Sequence, residues 1–451
     1  MSSTPTATLT GQPRLRRALS LWDLVFYGII LIQPTAPMPI FGVIGQEAKG
    51  HVVTTILVAM CAMLLTAIAY GRMARAYPAA GSAYTYVGRE IHSSLGFVTG
   101  WSMALDYIVN PVICTIWCSK AAGNIVPEIP YAAWVVFFAL LFTGLNLRGV
   151  KATARTNEVL VIGMTAVVVA FFIAAVRYLV HLPGLDVAYM LKPFYNKETF
   201  SLGAVSTGTS VAVLTYIGFD GISTLSEEVE NPRRNVLLAT VLTCLITGVL
   251  ATLEVYAGQL VWPDHKSFPD VDTAFVHLAG RAGGPILFQV VNLTLLVACI
   301  GSGMGAQLAA ARLLYGMGRD NALPQSFFGR IDLKRRIPQN NVLFIGAVAL
   351  VGAFTISYQL GAELLNFGAF IAFMGVNAAA FVRYYLRAES KKLVNFLPPV
   401  LGFVICFYIW LNLRTPAKIA GFVWLAVGLA YGAYKTGGYK KAIVLSDLPP
   451  E

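Results

Sequence analysis

The chain has 451 residues, 57% of them hydrophobic and only 12% charged, with a mean hydropathy of +0.68. Soluble proteins carry about 25% charged residues, so this chain lacks the charge to cover two or three soluble domains. Its net charge of +11 does not point to nucleic acid, because the basic residues punctuate apolar blocks instead of gathering on one face.

Roughly 20 apolar residues span a bilayer. Blocks of that kind fall at about 22–46, 52–72, 95–126, 131–147, 157–180, 203–226, 236–260, 285–317, 341–358, 362–386, 396–412 and 417–434. They predict an all-α polytopic membrane protein with 12 transmembrane helices, in contact with the lipid bilayer. Placing the N-terminus and the even-numbered loops on one side puts the larger part of the 33 Lys and Arg there, among them Arg14, Arg72, Arg148, Arg233, Arg335, Arg387 and Lys440. The positive-inside rule then makes both termini cytoplasmic in a multi-pass cell-membrane protein. The polar first residues, with Arg14, Arg16 and Arg17, do not read as a cleavable signal.

Between the spans only the stretches 181–202, 261–284 and 318–340 are long enough for small interfacial helices. The six cysteines all sit in apolar segments and read as reduced packing residues. Cys114 and Cys118 share a helical face, but with no His or further Cys near them they make a poor metal site. No metal and no cofactor are expected.

Two spans are interrupted. Span 1 contains Gln33-Pro34-Thr35-Ala36-Pro37-Met38-Pro39, and proline cannot continue a helical hydrogen-bond ladder. Span 6 contains Tyr216-Ile217-Gly218-Phe219-Asp220-Gly221, an aromatic and an acid between two glycines. Irregular backbone at membrane depth is tolerated only inside protein or along a watery cavity. Breaks five helices apart, in spans of opposite direction, point to an inverted-repeat transporter with a central site.

These motifs resemble those of the amino acid–polyamine–organocation transporters. Gly218-Phe219-Asp220 with Glu227 to Asn235 is similar to that family's sixth helix. Arg312 to Asp320 is similar to the end of its eighth, and Tyr77 to Tyr86 to its link between helices 2 and 3. The resemblance covers nearly the whole chain. It implies a five-plus-five inverted repeat over 21–180 and 203–388, two further helices over 394–434, cytoplasmic tails at 1–20 and 435–451, and substrate held between broken helices 1 and 6. Gly50-His51, Ser82 to Tyr86 and Gly100 to Tyr107 look most like the bacterial putrescine importers.

The site chemistry read from the residues themselves favours an amine. Pro34, Pro37 and Pro39 have no N–H to offer a carboxylate, and they release carbonyls near Ile30, Gln33 and Thr35. The N–H groups of Thr35, Ala36 and Met38 remain. Asp106 lies about eleven residues into helix 3, roughly 16 Å deep at ~1.5 Å per residue, near the middle of a ~30 Å core. A charge there costs about 2.5–3.5 kcal/mol on insertion scales, so Asp106 reads as a cation- or proton-binding residue. Ser102, Asp106 and Asn110 form one polar stripe at i, i+4 and i+8.

The expected substrate-binding set is therefore Gln33, Thr35, Ala36, Pro37, Ser102, Asp106, Tyr107, Asn110, Tyr216, Gly218, Phe219 and Asp220, with Tyr107, Tyr216 and Phe219 stacking on or occluding the substrate. Glu254 and Glu363, in spans 7 and 10, have no assigned role. Many proton-coupled relatives place a lysine in helix 5; Met164 stands at that position here. The resulting expectation is a secondary importer or exchanger of a small cationic amine such as putrescine, with a coupling proton as a further candidate partner. The alternative is an amino-acid permease of the same superfamily. An enzyme is disfavoured, since no His-Glu-x-x-His and no nucleophile–base pair occurs in the spans.

Overall fold

Helix α1 (Leu21–Ile32) opens with a capping box: Ser20 Oγ accepts from the Asp23 N–H at 3.3 Å, and the Asp23 carboxylate accepts from the Ser20 N–H at 2.8 Å. Such a cap stabilises a helix by about 1 kcal/mol. The helix stops at Gln33, whose φ is 73°, and the prolines that follow keep residues 33–40 out of helix until α2 (Phe41–Glu47) begins. The computed structural model describes residues 19–77, 82–148, 154–225, 229–319, 323–332 and 337–438. Most of both tails, and the motif residues Pro78–Gly81, Glu227, Glu228 and Asp320, lie outside them.

The chain continues through α3 (Val52–Ala76), α4 (Ser82–Glu90), α5 (Ser93–Gly123), α6 (Tyr131–Leu147), α7 (Ala154–Val180) and the short α8 (Val187–Leu191). Next come α9 (Leu202–Ala212), two 3₁₀ segments at Val213–Tyr216 and Phe219–Leu225, and α10 (Pro232–Val261). Helix α11 (Ala274–Arg319) bends at Gly284, whose φ of 75° precedes Pro285. The remainder is α12 (Gln325–Phe328), α13 (Gln339–Thr355), α14 (Tyr358–Phe381) with a π-helical end at Val382–Leu386, α15 (Leu393–Leu411) and α16 (Thr415–Thr436).

Among the described residues the fold is all-helical, with only isolated bridges outside helix. Among the described residues nine helices are long and apolar enough to cross a membrane, and three shorter ones, α1, α6 and α13, are apolar as well. Large apolar side chains face outward along the body, for instance Ile286 at 80% and Val180 at 73% exposure. In water such a surface would aggregate; against acyl chains it is the natural coat.

Helix α5 is the central post, packing on α4, α6, α11, α13, α14 and α16. Its hydroxyls are satisfied within the helix: Thr99, Ser102, Thr115 and Ser119 donate to the carbonyls of Leu95, Val98, Pro111 and Thr115 at 2.7–2.9 Å. That pattern removes bare donors from an interior without water. Gly368 of α14 crosses α5 at Ser102, where a Cβ would run into the Ser102 carbonyl.

Both ends of the body are tied. At the C-terminal end of α5, Lys120 pairs with Asp272 at 2.7 Å and Asp270 at 3.3 Å, and Trp117 Nε1 donates to the Asp272 carbonyl. Phe41 of α2 meets Phe268 and Phe275 edge-on in the same region. At the opposite end the buried Glu90 carboxylate accepts from Arg383 at 2.5 Å, Arg387 at 2.8 Å and the Tyr77 hydroxyl at 2.7 Å. The Leu19 carbonyl there accepts from the Glu230 N–H, joining the start of α1 to the chain after the second 3₁₀ segment.

Candidate functional site

The two breaks lie against each other. Gly218 has a φ of 121° and sits so close to the Leu31 backbone that a Cβ would approach it at 3.3 Å. Gly28 and Gly221 let α1 and the 219–225 segment approach closely through Ile222 and Leu31. The sequence 218–221 therefore serves two ends, turning the chain out of helix and letting α1 lie beside it.

Asp220 follows the break in a tight turn, where the Gly221 N–H donates to the Gly218 carbonyl at 3.1 Å and the Ser223 hydroxyl donates to the Asp220 backbone carbonyl at 2.6 Å. Asp106, on α5, is within Coulomb range of Asp220 and deeply enclosed, yet it keeps accessible surface. Among the described residues it has neither a hydrogen-bond partner nor an ion pair, and no basic side chain acts on either carboxyl. Pro111 has no N–H to give to the carbonyl of Tyr107, one residue on from Asp106, which leaves an acceptor next to Asp106. Tyr107 and Tyr70 are both within range of the two acids. The arrangement brings two carboxyls and the Tyr107 carbonyl into one region with no basic side chain acting on the acids, and all three are groups that accept from an ammonium.

The other expected residues divide into two groups. Gln33, Ala36, Tyr107, Asn110 and Gly218 keep accessible surface along with the two acids. Gln33 reaches across to α11, donating to the Ala298 carbonyl at 3.4 Å, and Asn110 Oδ1 accepts from the Cys114 thiol at 3.3 Å. Thr35, Pro37, Ser102, Tyr216 and Phe219 are buried. Tyr216 is a strut, its hydroxyl donating to the Ile56 carbonyl of α3 at 3.0 Å. Phe219 belongs to an aromatic group with Tyr70 and Phe373, at 5.5 Å from each. Ser102 is spent on its own helix and on the crossing with Gly368.

Three expectations need correction. The Gln33 and Thr35 carbonyls are not free, because they accept from Ala36 and Met38 in consecutive turns of the break. The same bonds occupy two of the N–H groups that a carboxylate would use. Cys114 and Cys118 are not isolated thiols either: Cys299, far away in sequence, joins them from α11. Among the described residues no His, Cys, Asp or Glu group is disposed to hold a metal ion. Glu254 and Glu363 are both fully buried, Glu363 against Arg414 at 2.7 Å. Tyr70 and Phe373 carried no signal in the sequence beyond being aromatic residues in apolar helices.

The profile of the amino acid permease family matches residues 25–442. The chain belongs to that family, within the amino acid–polyamine–organocation superfamily. A low-affinity putrescine importer, PlaP, of Escherichia coli is 34% identical over 96% of this chain and 97% of its own length. The methylthioribose transporter of Bacillus subtilis is 27% identical and the branched-chain amino acid permease BcaP of Lactococcus lactis 26%, each over nearly the full chain. Family and helices together make this a multi-pass membrane protein of a transporter family.

Proposed function

We propose that the chain is a secondary active transporter of small organic amines of the putrescine class, working by alternating access. The observation that carries this reading is the contrast between two neighbouring acids. Asp220 lies on the turn just after the span 6 break, whereas Asp106 stands on regular α5, partly accessible and, among the described residues, without a hydrogen-bond or ion-pair partner. A primary ammonium supplies the donors that Asp106 lacks, and the second acid adds attraction for the dicationic cargo. The E. coli relative named a putrescine importer supports the same cargo class.

In this reading the nine long apolar helices and the three shorter ones make twelve spans, with α1 and α2 as the halves of span 1. Spans 1–5 and 6–10 form the inverted repeat, and the protein sits in a bacterial inner membrane with both termini cytoplasmic. The site alternates between the two sides as the broken helices rock, with Asp106 and Tyr107 holding the ammonium.

The test is binding of putrescine to purified wild type and Asp106→Asn, with thermal unfolding as the control for folding. A charge-assisted hydrogen bond is worth about 1.5–3 kcal/mol, so the variant should bind roughly 10–150-fold more weakly and remain folded. Unchanged putrescine affinity in a folded variant, or wild-type binding of neutral amino acids alone, overturns the amine assignment in favour of an amino-acid permease.

A further inference from the structure

Helices α7 and α11 pack together, and along their seam a groove of ≈ 830 Å³ stays open. Ala170, Ile173, Ile286, Leu287 and Val290 line its long apolar part, whereas Arg177, Tyr178 and His181 line one end. The floor is shallow beside the bend of α11, where a Cβ on Gly283 would stand 3.2 Å from the Ala174 Cβ. Ile173 and Ile286 stand exposed on either side. From His181 to Ala170 is eleven residues, roughly 16 Å at ~1.5 Å per residue. That is about half of a ~30 Å hydrocarbon core, the depth of one leaflet.

The charged end lies where the span ends. Helix α7 is apolar enough to cross a membrane as far as Val180, and Tyr178 and Trp262 beside it are of the residue types that favour the interface. Arg281 sits over both rings, 5.8 Å and 5.0 Å from their centres, and its Nε donates to the Tyr178 hydroxyl at 2.9 Å. His181 Nδ1 donates to the Arg177 carbonyl at 2.7 Å. Among the described residues neither arginine is paired with a carboxylate, and no acid lines the groove. We propose that the groove holds one membrane phospholipid with an anionic headgroup. Its phosphate meets Arg177 and Arg281, and one acyl chain lies along the apolar part toward Val290. A free phosphate has no use for the apolar run, and a zwitterionic lipid gains less from two unpaired arginines. The proposal is independent of which cargo the protein carries.

The test is native mass spectrometry of the full chain in detergent, given phosphatidylglycerol and phosphatidylcholine with the same acyl chains. Wild type should retain one phosphatidylglycerol in preference to phosphatidylcholine. An arginine near the membrane surface strengthens binding of anionic lipid about fivefold. Arg177→Gln, at an exposed position, should therefore weaken phosphatidylglycerol about fivefold, and Arg177→Gln with Arg281→Gln roughly 25-fold, down to the level of phosphatidylcholine. Ala170→Phe fills the deep end of the groove and should weaken both lipids together. Thermal unfolding checks that each variant is folded. Equal retention of the two lipids by wild type overturns the proposal, as does unchanged phosphatidylglycerol binding in folded Arg177→Gln or Ala170→Phe. Displacement of the lipid by an equal concentration of glycerol phosphate would make this a site for soluble phosphate. A lipid-free dimer that Ala170→Phe abolishes would make the occupant a second copy of the chain, and either result also overturns the proposal.

Discussion

Asp106 and Asp220 are the same residue type in the same region, and backbone geometry alone separates them. Asp220 lies on the 3₁₀ segment just after the break in span 6, whereas Asp106 rises from regular α5, whose N–H groups are spent on the helix. Gly218 makes that difference possible, because a φ of 121° is one that residues with a Cβ rarely adopt. Gly218→Ala should therefore destabilise the protein by about 1–3 kcal/mol, the usual strain of such a conformation, with the contact against Leu31 adding to it. Gly305→Ala is the comparison: that glycine lies in α11 with nothing within 4 Å of a Cβ, and alanine there should be neutral or stabilise by up to about 1 kcal/mol. Thermal unfolding in detergent measures both. Equal midpoints for the two variants would show that the span 6 break does not depend on this glycine.

At the scale of elements, the ends of the body differ in how they are fastened. Glu90 is the hub of one end, 1% exposed, with Arg383 at 38% and Arg387 at 60% side-chain exposure. Hydrogen bonds to charged groups contribute about 1.5–3 kcal/mol when enclosed, and exposed ion pairs about 0.2–1 kcal/mol. The expected order of destabilisation is therefore Glu90→Gln, then Arg383→Gln, then Arg387→Gln, with the last close to wild type. A double-mutant cycle should give the Glu90–Arg383 pair the larger coupling. Equal effects for the two arginines would mean that burial does not set the strength of this latch.

Both breaks were legible in the sequence because proline and glycine act on the backbone of their own residue, and Asp106 because a charge in an apolar helix is conspicuous. What the break does with its hydrogen bonds was not legible. Whether Gln33 and Thr35 leave their carbonyls free depends on turn geometry that residue types do not determine. The inward face of Tyr216 and Phe219, and the meeting of Cys299 with Cys114 and Cys118, depend on how distant helices pack.

At the scale of the whole molecule, the proposed orientation follows the distribution of charge. The loops on the side assigned to the cytoplasm hold most of the basic residues, while the opposite side holds fewer, such as Lys120, Lys192 and Lys266, the first of them paired with Asp270 and Asp272. Retention of Lys and Arg on the cytoplasmic side during insertion produces such a bias. The proposed twelve-span arrangement turns the loop after α10 outward and the loop between α14 and α15 to the cytoplasm. Lys266 and Glu389 are exposed in those two loops, so a cysteine at either should disturb little of the fold. In intact cells a membrane-impermeant thiol reagent should label Lys266→Cys, whereas Glu389→Cys should react only once the membrane is opened. The unsubstituted chain is the background control, since Cys61 is exposed on the flank of α3. The reverse pattern would invert the protein in the membrane, and labelling of both positions in intact cells would remove one span from the count.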